Sequence, residues 1–428
     1  MLFISTRSAR QQVGFGAALT QGLAADGGLY VPAQWPQLTL TADAGDLAAL
    51  AAQLIEPFAR GEPLASELPA ITREAFNFPA PLVWLEPSQR TGVLELFHGP
   101  TAAFKDFGAR FLAAALARLR RGAARPLHIL VATSGDTGGA VAAAFHRMPG
   151  IEVTVLFPKG LVSPTQQQQL TCWGDNVRSL AVRGRFDDCQ RLVKEAFTDA
   201  ELSSRSDLSS ANSINLGRLL PQAAYYWSAS LAVWRTHHEA ASFIIPSGNL
   251  GNATACVWAR KLGAPIDQIV LAHNANRTVP DLLEEGVLRP RPSVATLSNA
   301  MDVGNPSNLE RLLAIYPDAA QLRQGISAVS IDDEATRTRI TKDLQRYGRV
   351  WCPHTAVAAE ALARLPDAQR TSGRWVVVAT AHPAKFRETI EPLIGRRIPM
   401  PQNLERLFER PSKFGEIAAT LEGLKQAI

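Results

Sequence analysis

The chain has 428 residues, room for two or three hydrophobic cores at the usual ~100–200 residues per domain. With 46% hydrophobic and 19% charged residues it reads as globular, and 44 basic against 39 acidic residues leave a net charge of +5. The basic residues are scattered, without a tract or interleaved aromatics, which argues against nucleic acid and leaves a mild preference for small anions. Cys172, Cys189, Cys256 and Cys352 are far apart, so disulfide frameworks and zinc sites of familiar spacing are not expected. The apolar part of residues 1–7 is too short for a signal peptide, and no run approaches the ~20 apolar residues of a membrane helix. A soluble, cytoplasmic protein with no membrane, metal or nucleic-acid partner is expected.

In chain order, residues 26–32 read as a turn into a short strand and residues 47–58 as a helix. Residues 61–87 carry prolines at 63, 69, 79, 81 and 87 and read as broken, short elements. Residues 82–85 and 92–97 read as strands leading to a helix whose apolar face is Phe104, Phe107, Phe111, Leu112, Leu116 and Leu119. Pro100 and Thr101 read as its lead-in and cap. Lys105 falls in the first turn, where the helix dipole disfavours a further positive charge. Gly108 and Ala109, three and four residues on, are expected to leave open space beside it. Such a lysine suits an amine nucleophile or proton carrier, with a plain surface lysine as the alternative.

From residue 126 the pattern changes. Strands are expected at 127–132, 151–157, 177–182, 242–245, 268–273 and 374–379. Helices are expected at 140–146, 187–197, 219–236, from about 253 to 262, and after residue 386. Short apolar strands alternating with helices predict an α/β fold with parallel-type sheets covered on both sides by helices.

Three of these strands end in loops of Gly, Ser, Thr and Asn, where open α/β sheets bind ligands. Ser247, Gly248, Asn249, Leu250, Gly251 and Asn252 allow close backbone approach at a helix start and suit a phosphate. Taken singly, the stretch is equally an ordinary glycine turn. It is neither a GxGxxG fingerprint nor a P-loop, which argues against a dinucleotide-dependent dehydrogenase. Ser134, Gly135, Asp136, Thr137 and Gly138 form a second anion-type loop, or a plain helix cap. Asn215 and Arg218 lie three apart, facing one way if helical, and an arginine fork matches phosphate or carboxylate. Thr380 places a hydroxyl after the last strand, with Lys385 just beyond. His98, His354 and His382 sit in loops, each equally open to a packing role. Two anion loops and an unusual lysine suggest a phosphorylated cofactor and an anionic substrate.

Residues 98–108 resemble the lysine-bearing signature of the threonine synthase family, pyridoxal-phosphate enzymes of the tryptophan synthase β-like architecture (fold type II). Ser5, Thr6 and Arg7 with residues 22–32 resemble that family's N-terminus. Residues 134–138, 212–218, 247–252, 353–356 and 380–386 match its later signatures in order. The resemblance implies that Lys105 binds pyridoxal 5'-phosphate covalently and carries protons. It implies that Gly248, Asn249, Leu250, Gly251 and Asn252 hold the cofactor phosphate and that Thr380 bonds the pyridine nitrogen. Ser134, Asp136, Thr137, Asn215 and Arg218 are implied to grip the substrate's phosphate and carboxylate. Leu250 stands where the family often has phenylalanine, a change a backbone-donating position tolerates.

The implied reaction turns O-phospho-L-homoserine and water into L-threonine and phosphate by γ-elimination and β-addition of water, the last step of threonine biosynthesis. The alternative is a related phospho-lyase that releases 2-oxobutyrate. The implied organisation is a large domain from residues 1–110 and 230–428 around a nested, mobile domain at 111–229, in a monomer or small homo-oligomer.

Overall fold

The computed structural model describes residues 1–39 and 45–428, in which three sheets organise the chain. The largest has six strands in the order Ser327–Ser330, Ile266–His273, Ala241–Pro246, Arg374–Ala379, Thr91–Glu95 and Leu82–Trp84. All its pairings are parallel except the last, where Leu82 lies opposite Leu94. Ala241–Pro246 and Arg374–Ala379 are buried at every position, as central strands covered on both faces must be.

The second sheet has five parallel strands: Gly415–Ala418, Val177–Arg183, Ile151–Pro158, Leu127–Ala132 and Asp207–Ser209. Its first strand comes from the C-terminal end of the chain. The expected 111–229 unit does not include that strand, so the C-terminus is drawn into the smaller sheet. A small antiparallel sheet of Gln12–Val13, Phe3–Ser5 and Tyr30–Pro32 closes the N-terminal end. The parallel α/β fold expected from strand–helix alternation is the fold observed.

Helix Lys105–Leu119 packs on helix Leu64–Ala75, on Asp136–Phe145 and on the short helix Leu216–Leu219. Its Phe107, Phe111, Leu112 and Leu116 are wholly buried. The twelve-residue helix Leu64–Ala75 replaces the broken elements expected there, with Pro69 inside it. An interior proline costs a helix ~3 kcal/mol. Here Leu64, Leu68, Ile71 and Ala75 are buried, and Glu67 and Glu74 both pair with Arg118 of the lysine helix. Those contacts offset the local cost.

Two long helices have no counterpart among the expected elements. Asp333–Tyr347 is polar nearly all round, with Thr336, Ile340 and Asp343 its buried positions. Pro353–Ala363 is the opposite case, buried almost throughout and rich in alanine. Neither presents the contrast between faces on which periodicity depends.

Candidate active site

A cavity of ≈ 230 Å³ lies where parallel strands of the two larger sheets end. Ser134 follows Leu127–Ala132, Gly248 follows Ala241–Pro246, and Thr380 follows Arg374–Ala379; all three line it, as does Lys105.

Lys105 is the first residue of its helix. Its Nζ forms no ion pair or hydrogen bond among the described residues and lies 5.7 Å from the centroid of the Phe104 ring. Burial pushes its pKa down to about 8; Asp136 opposes the shift, while Arg218 and Lys385 add to it. Thr101 does not cap the helix as expected. Its N–H and hydroxyl donate to the Asp106 carboxylate at 2.9 and 2.6 Å, so Asp106 ties the preceding turn to the helix start. The space expected beside Gly108 is filled. A Cβ there would sit 2.2 Å from the Arg218 carbonyl oxygen, so glycine admits the backbone that carries Arg218.

Arg218 is buried, with no carboxylate at ion-pair distance among the described residues. One terminal nitrogen donates to the Ala211 carbonyl, its Nε is unpartnered, and burial pushes its pKa down to about 10. A buried guanidinium in this state has donors to spare for an anion. Asn215, expected at the substrate, does not line the cavity. Its Nδ2 donates to Leu19 O and Ser210 O, and its Oδ1 accepts from Gly217 N at 2.9 Å. It caps the short helix that presents Arg218.

Thr133 organises the second loop by accepting from Gly135 N and Gly138 N, both at 2.9 Å. Helix Asp136–Phe145 therefore begins four residues earlier than its apolar pattern indicates. Ser134 and Thr137 line the cavity, and their hydroxyls make no hydrogen bond among the described residues. Asp136 is engaged differently from the expected substrate contact: its Oδ1 accepts from Lys385 Nζ at 2.9 Å and from Gln166 Nε2 at 3.2 Å. Burial works against its charge, yet Lys385 and Lys105 hold the carboxyl well below the usual range.

In the third loop, Leu250 caps helix Gly251–Leu262 in a left-handed conformation, φ +63°. A Cβ on Gly248 would be 2.7 Å from Met301 Cα, so this glycine is packed against the 300–305 loop. The Asn249 side chain donates to Ser213 Oγ and accepts from Ser307 N, both at 2.6 Å, which fixes its amide and leaves the second Nδ2 proton without a partner among the described residues. Asn252 accepts at Oδ1 from Tyr225 (2.6 Å) and Tyr226 (2.9 Å), which fixes its amide, and its buried Nδ2 is unpartnered. Thr380 lines the cavity, while its carbonyl accepts from Phe104 N at 2.9 Å and so joins the last strand to the lysine segment.

Three features carried no assigned role in the sequence. His354 lines the cavity, accepting at Nε2 from Ala300 N at 3.2 Å; burial pushes its pKa down to about 4, and its Nδ1 is unpartnered. Asn212 leaves a buried Oδ1 unpartnered at the cavity wall. Residues 291–293 and 300–305 supply another wall, and no motif marks them. His354 and Asn212 stood inside quoted signatures; the wall is assembled only by folding.

These groups fit a phosphorylated aldehyde cofactor. Asn252 Nδ2 is an unused donor at the N-terminus of the twelve-residue helix Gly251–Leu262, which suits the phosphate. Lys105 is an amine with a lowered pKa, which suits the aldehyde. Fold and site define a pyridoxal-phosphate-dependent enzyme, and the family model for the pyridoxal-phosphate dependent enzymes matches residues 74–381. Models for the threonine synthase N terminus and the threonine synthase C-terminal region match residues 2–76 and 355–428. The chain belongs to the threonine synthase family. It is 40% identical over 403 residues to the threonine synthase of Haemophilus influenzae, covering 94% of this chain and 93% of that one. It is 37% identical over 430 residues to that of Escherichia coli, covering 100% and 99%.

Solved structures agree. The Escherichia coli threonine synthase superposes with a TM-score of 0.89 over 100% of this chain and 99% of that one, at 37% identity. The pyridoxal-phosphate-bound threonine synthase of Brucella melitensis superposes at 0.90, covering 100% and 98%, at 35% identity.

Proposed function

We propose that the enzyme converts O-phospho-L-homoserine and water to L-threonine and phosphate, with Lys105 holding pyridoxal phosphate and moving the protons. The observation that carries this reading is one cavity holding both an amine and a buried arginine that have no ion-pair partner among the described residues. The first suits the cofactor, and the second suits a substrate that is itself an anion. When bound, the cofactor supplies an electron sink for negative charge developing at the substrate's α-carbon.

The rest falls to the chain's own groups. Gly248, Leu250 and Gly251 would offer backbone, Asn249 its backbone and its remaining Nδ2 proton, and Asn252 its Nδ2, to the cofactor phosphate. The Thr380 hydroxyl would hydrogen-bond the pyridine nitrogen of the bound cofactor. Arg218, with the Ser134 and Thr137 hydroxyls, takes the substrate's phosphate and carboxylate. Asn215 acts by holding Arg218, and Asp136 by its charge. Lys105 Nζ, near neutrality in pKa, removes a proton at the α-carbon and returns protons further along the side chain. A nested unit around residues 111–229 would close the cavity against water, which addition at Cβ requires to be admitted in order. Four buried, unpaired cysteines support a reducing, cytoplasmic setting.

The test is a product assay. Purified protein incubated with O-phospho-L-homoserine should release threonine and phosphate in equal amounts. Dominant 2-oxobutyrate would instead establish the phospho-lyase reading. A Lys105→Ala protein should lose the visible absorbance band of the covalently bound cofactor; retention of the band would mean that another lysine carries it.

A further inference from the structure

Lys385 is wholly buried, and no part of the reaction described above uses it. Its Nζ lies 2.9 Å from Asp136 Oδ1 and 2.8 Å from the Thr101 carbonyl oxygen. Thr101 is the residue that holds Asp106 and thereby the start of the lysine helix. Asp136 lines the same cavity as Lys105, yet no Lys105–Asp136 ion pair forms. The Asp136 oxygen that accepts from Lys385 also accepts from Gln166, so the carboxylate is drawn toward the Lys385 side.

We propose that Lys385 is a positioning residue for Lys105: by engaging Asp136 it withholds that carboxylate from the reactive amine and keeps the amine available as a free base. The inference rests on Lys105 being the lysine that takes the cofactor. The charged groups acting on Lys105 are Asp136, Arg218 and Lys385. Asp106, next along the helix, is bonded to Thr101, and His354, which faces Asp136, is neutral because burial holds its pKa near 4. Of these, Asp136 is the group that stabilises the Lys105 ammonium, and Lys385 is the cation that competes for it. Without Lys385, a buried carboxylate would be left with Lys105 as its cationic neighbour. An uncompensated buried charge recruits whatever counter-ion it can reach. The ammonium form, which has no lone pair, would then persist to higher pH.

The test labels the full chain, stripped of cofactor, with trace acetic anhydride across a pH series, and reads acetylation of the Lys105 peptide by mass spectrometry. Labelling forms an N–C bond, expels acetate and releases one proton, so its rate follows the fraction of free amine. The parent should reach half its maximal rate near pH 8. Lys385→Met should move that midpoint up by at least about one pH unit, roughly a tenfold lower rate at pH 7. Lys385→Arg should keep the parent profile, and Asp136→Asn alone should move the midpoint down. The double variant Asp136→Asn/Lys385→Met should return to the parent midpoint or below, which a purely structural role for Lys385 would not produce.

An unchanged midpoint in Lys385→Met, or a double variant that stays shifted upward, overturns the proposal. If Lys385→Met does not fold, an unmoved midpoint in Asp136→Asn overturns it equally. Loading the parent with pyridoxal phosphate should protect Lys105 from the label. Failure of that arm alone would count against Lys105 as the cofactor lysine and leave the charge relation to be judged by the other arms.

Discussion

Gly108 illustrates how the meaning of a residue depends on what folds against it. In sequence it marks a gap beside Lys105; in the structure the carbonyl of Arg218 occupies that gap, 2.2 Å from where a Cβ would stand. The obstructing atom is backbone, so no side chain can swing aside. Gly108→Ala should therefore cost about 1–3 kcal/mol of stability, the usual range for overpacking a filled site. It should also push Arg218 out of place and raise the KM for O-phospho-L-homoserine about tenfold or more, with a smaller change in kcat. Urea unfolding and steady-state kinetics check the two halves separately. Lys105 stood out in the sequence as a helix-start lysine, Asn252 as part of a strand-end loop, and Arg218 as an arginine three residues after Asn215; Lys105, Asn252 and Arg218 all line the cavity. Asn215 was identified for the wrong task, because a cap and a ligand contact draw on the same amide.

At the scale of elements, position along the chain is a poor guide to sheet membership. Gly415–Ala418 pairs with Val177–Arg183 across more than half the chain, Ile417 lying opposite Val182. The following helix, Leu421–Ala427, buries Leu424 in the same apolar cluster, and its Lys425 pairs with Asp199 and Glu201. Ending the chain before Pro411 should expose Val177–Arg183 as an edge strand and lose the burial of Ile417 and Leu424. At about 1.5–3 kcal/mol for each side chain, the loss is roughly 3–6 kcal/mol. The shortened protein should unfold at lower urea, followed by circular dichroism, and scatter light on standing, as an unprotected edge does. Helix Leu64–Ala75 gives the complementary lesson: five prolines between residues 61 and 87 indicate interruption, yet apolar burial and the Arg118 pairs hold Pro69 inside a helix.

For the whole molecule, Asp136 and Lys385 form a link between the two parallel sheets, one residue following a strand of each. Ser163, which caps helix Pro164–Thr171, donates to the Lys385 carbonyl at 3.3 Å and strengthens the same junction. The pair ties stability to pH in a definite direction. Asp136 is held below its unfolded pKa of about 3.9, so its contribution is complete above that value and is lost as pH falls below it. Asp136→Asn should cost about 3–5 kcal/mol near pH 7 by leaving Lys385 buried without its counter-ion. The gap between parent and variant should narrow below about pH 4, and Asp136→Asn/Lys385→Met should be more stable at pH 7 than Asp136→Asn. Urea titrations at stepped pH test all three statements.

The sequence by itself determined the α/β class, the order of the main strands, the lysine segment and the three loops that meet at the cavity. These are local signals: apolar runs of strand length, glycine and hydroxyl residues at helix starts, and motifs readable in a dozen positions. Only the tertiary structure decided which polar groups remain free. Asn215 has the same chemistry as Asn252, but its amide is consumed by neighbouring backbone, whereas Asn252 keeps an unpartnered Nδ2. Whether a lysine is a free base or a paired cation likewise depends on carboxylates and cations far away in sequence. Lys105 opened the question as one basic residue at a helix start; burial and the diversion of Asp136 to Lys385 made its amine available.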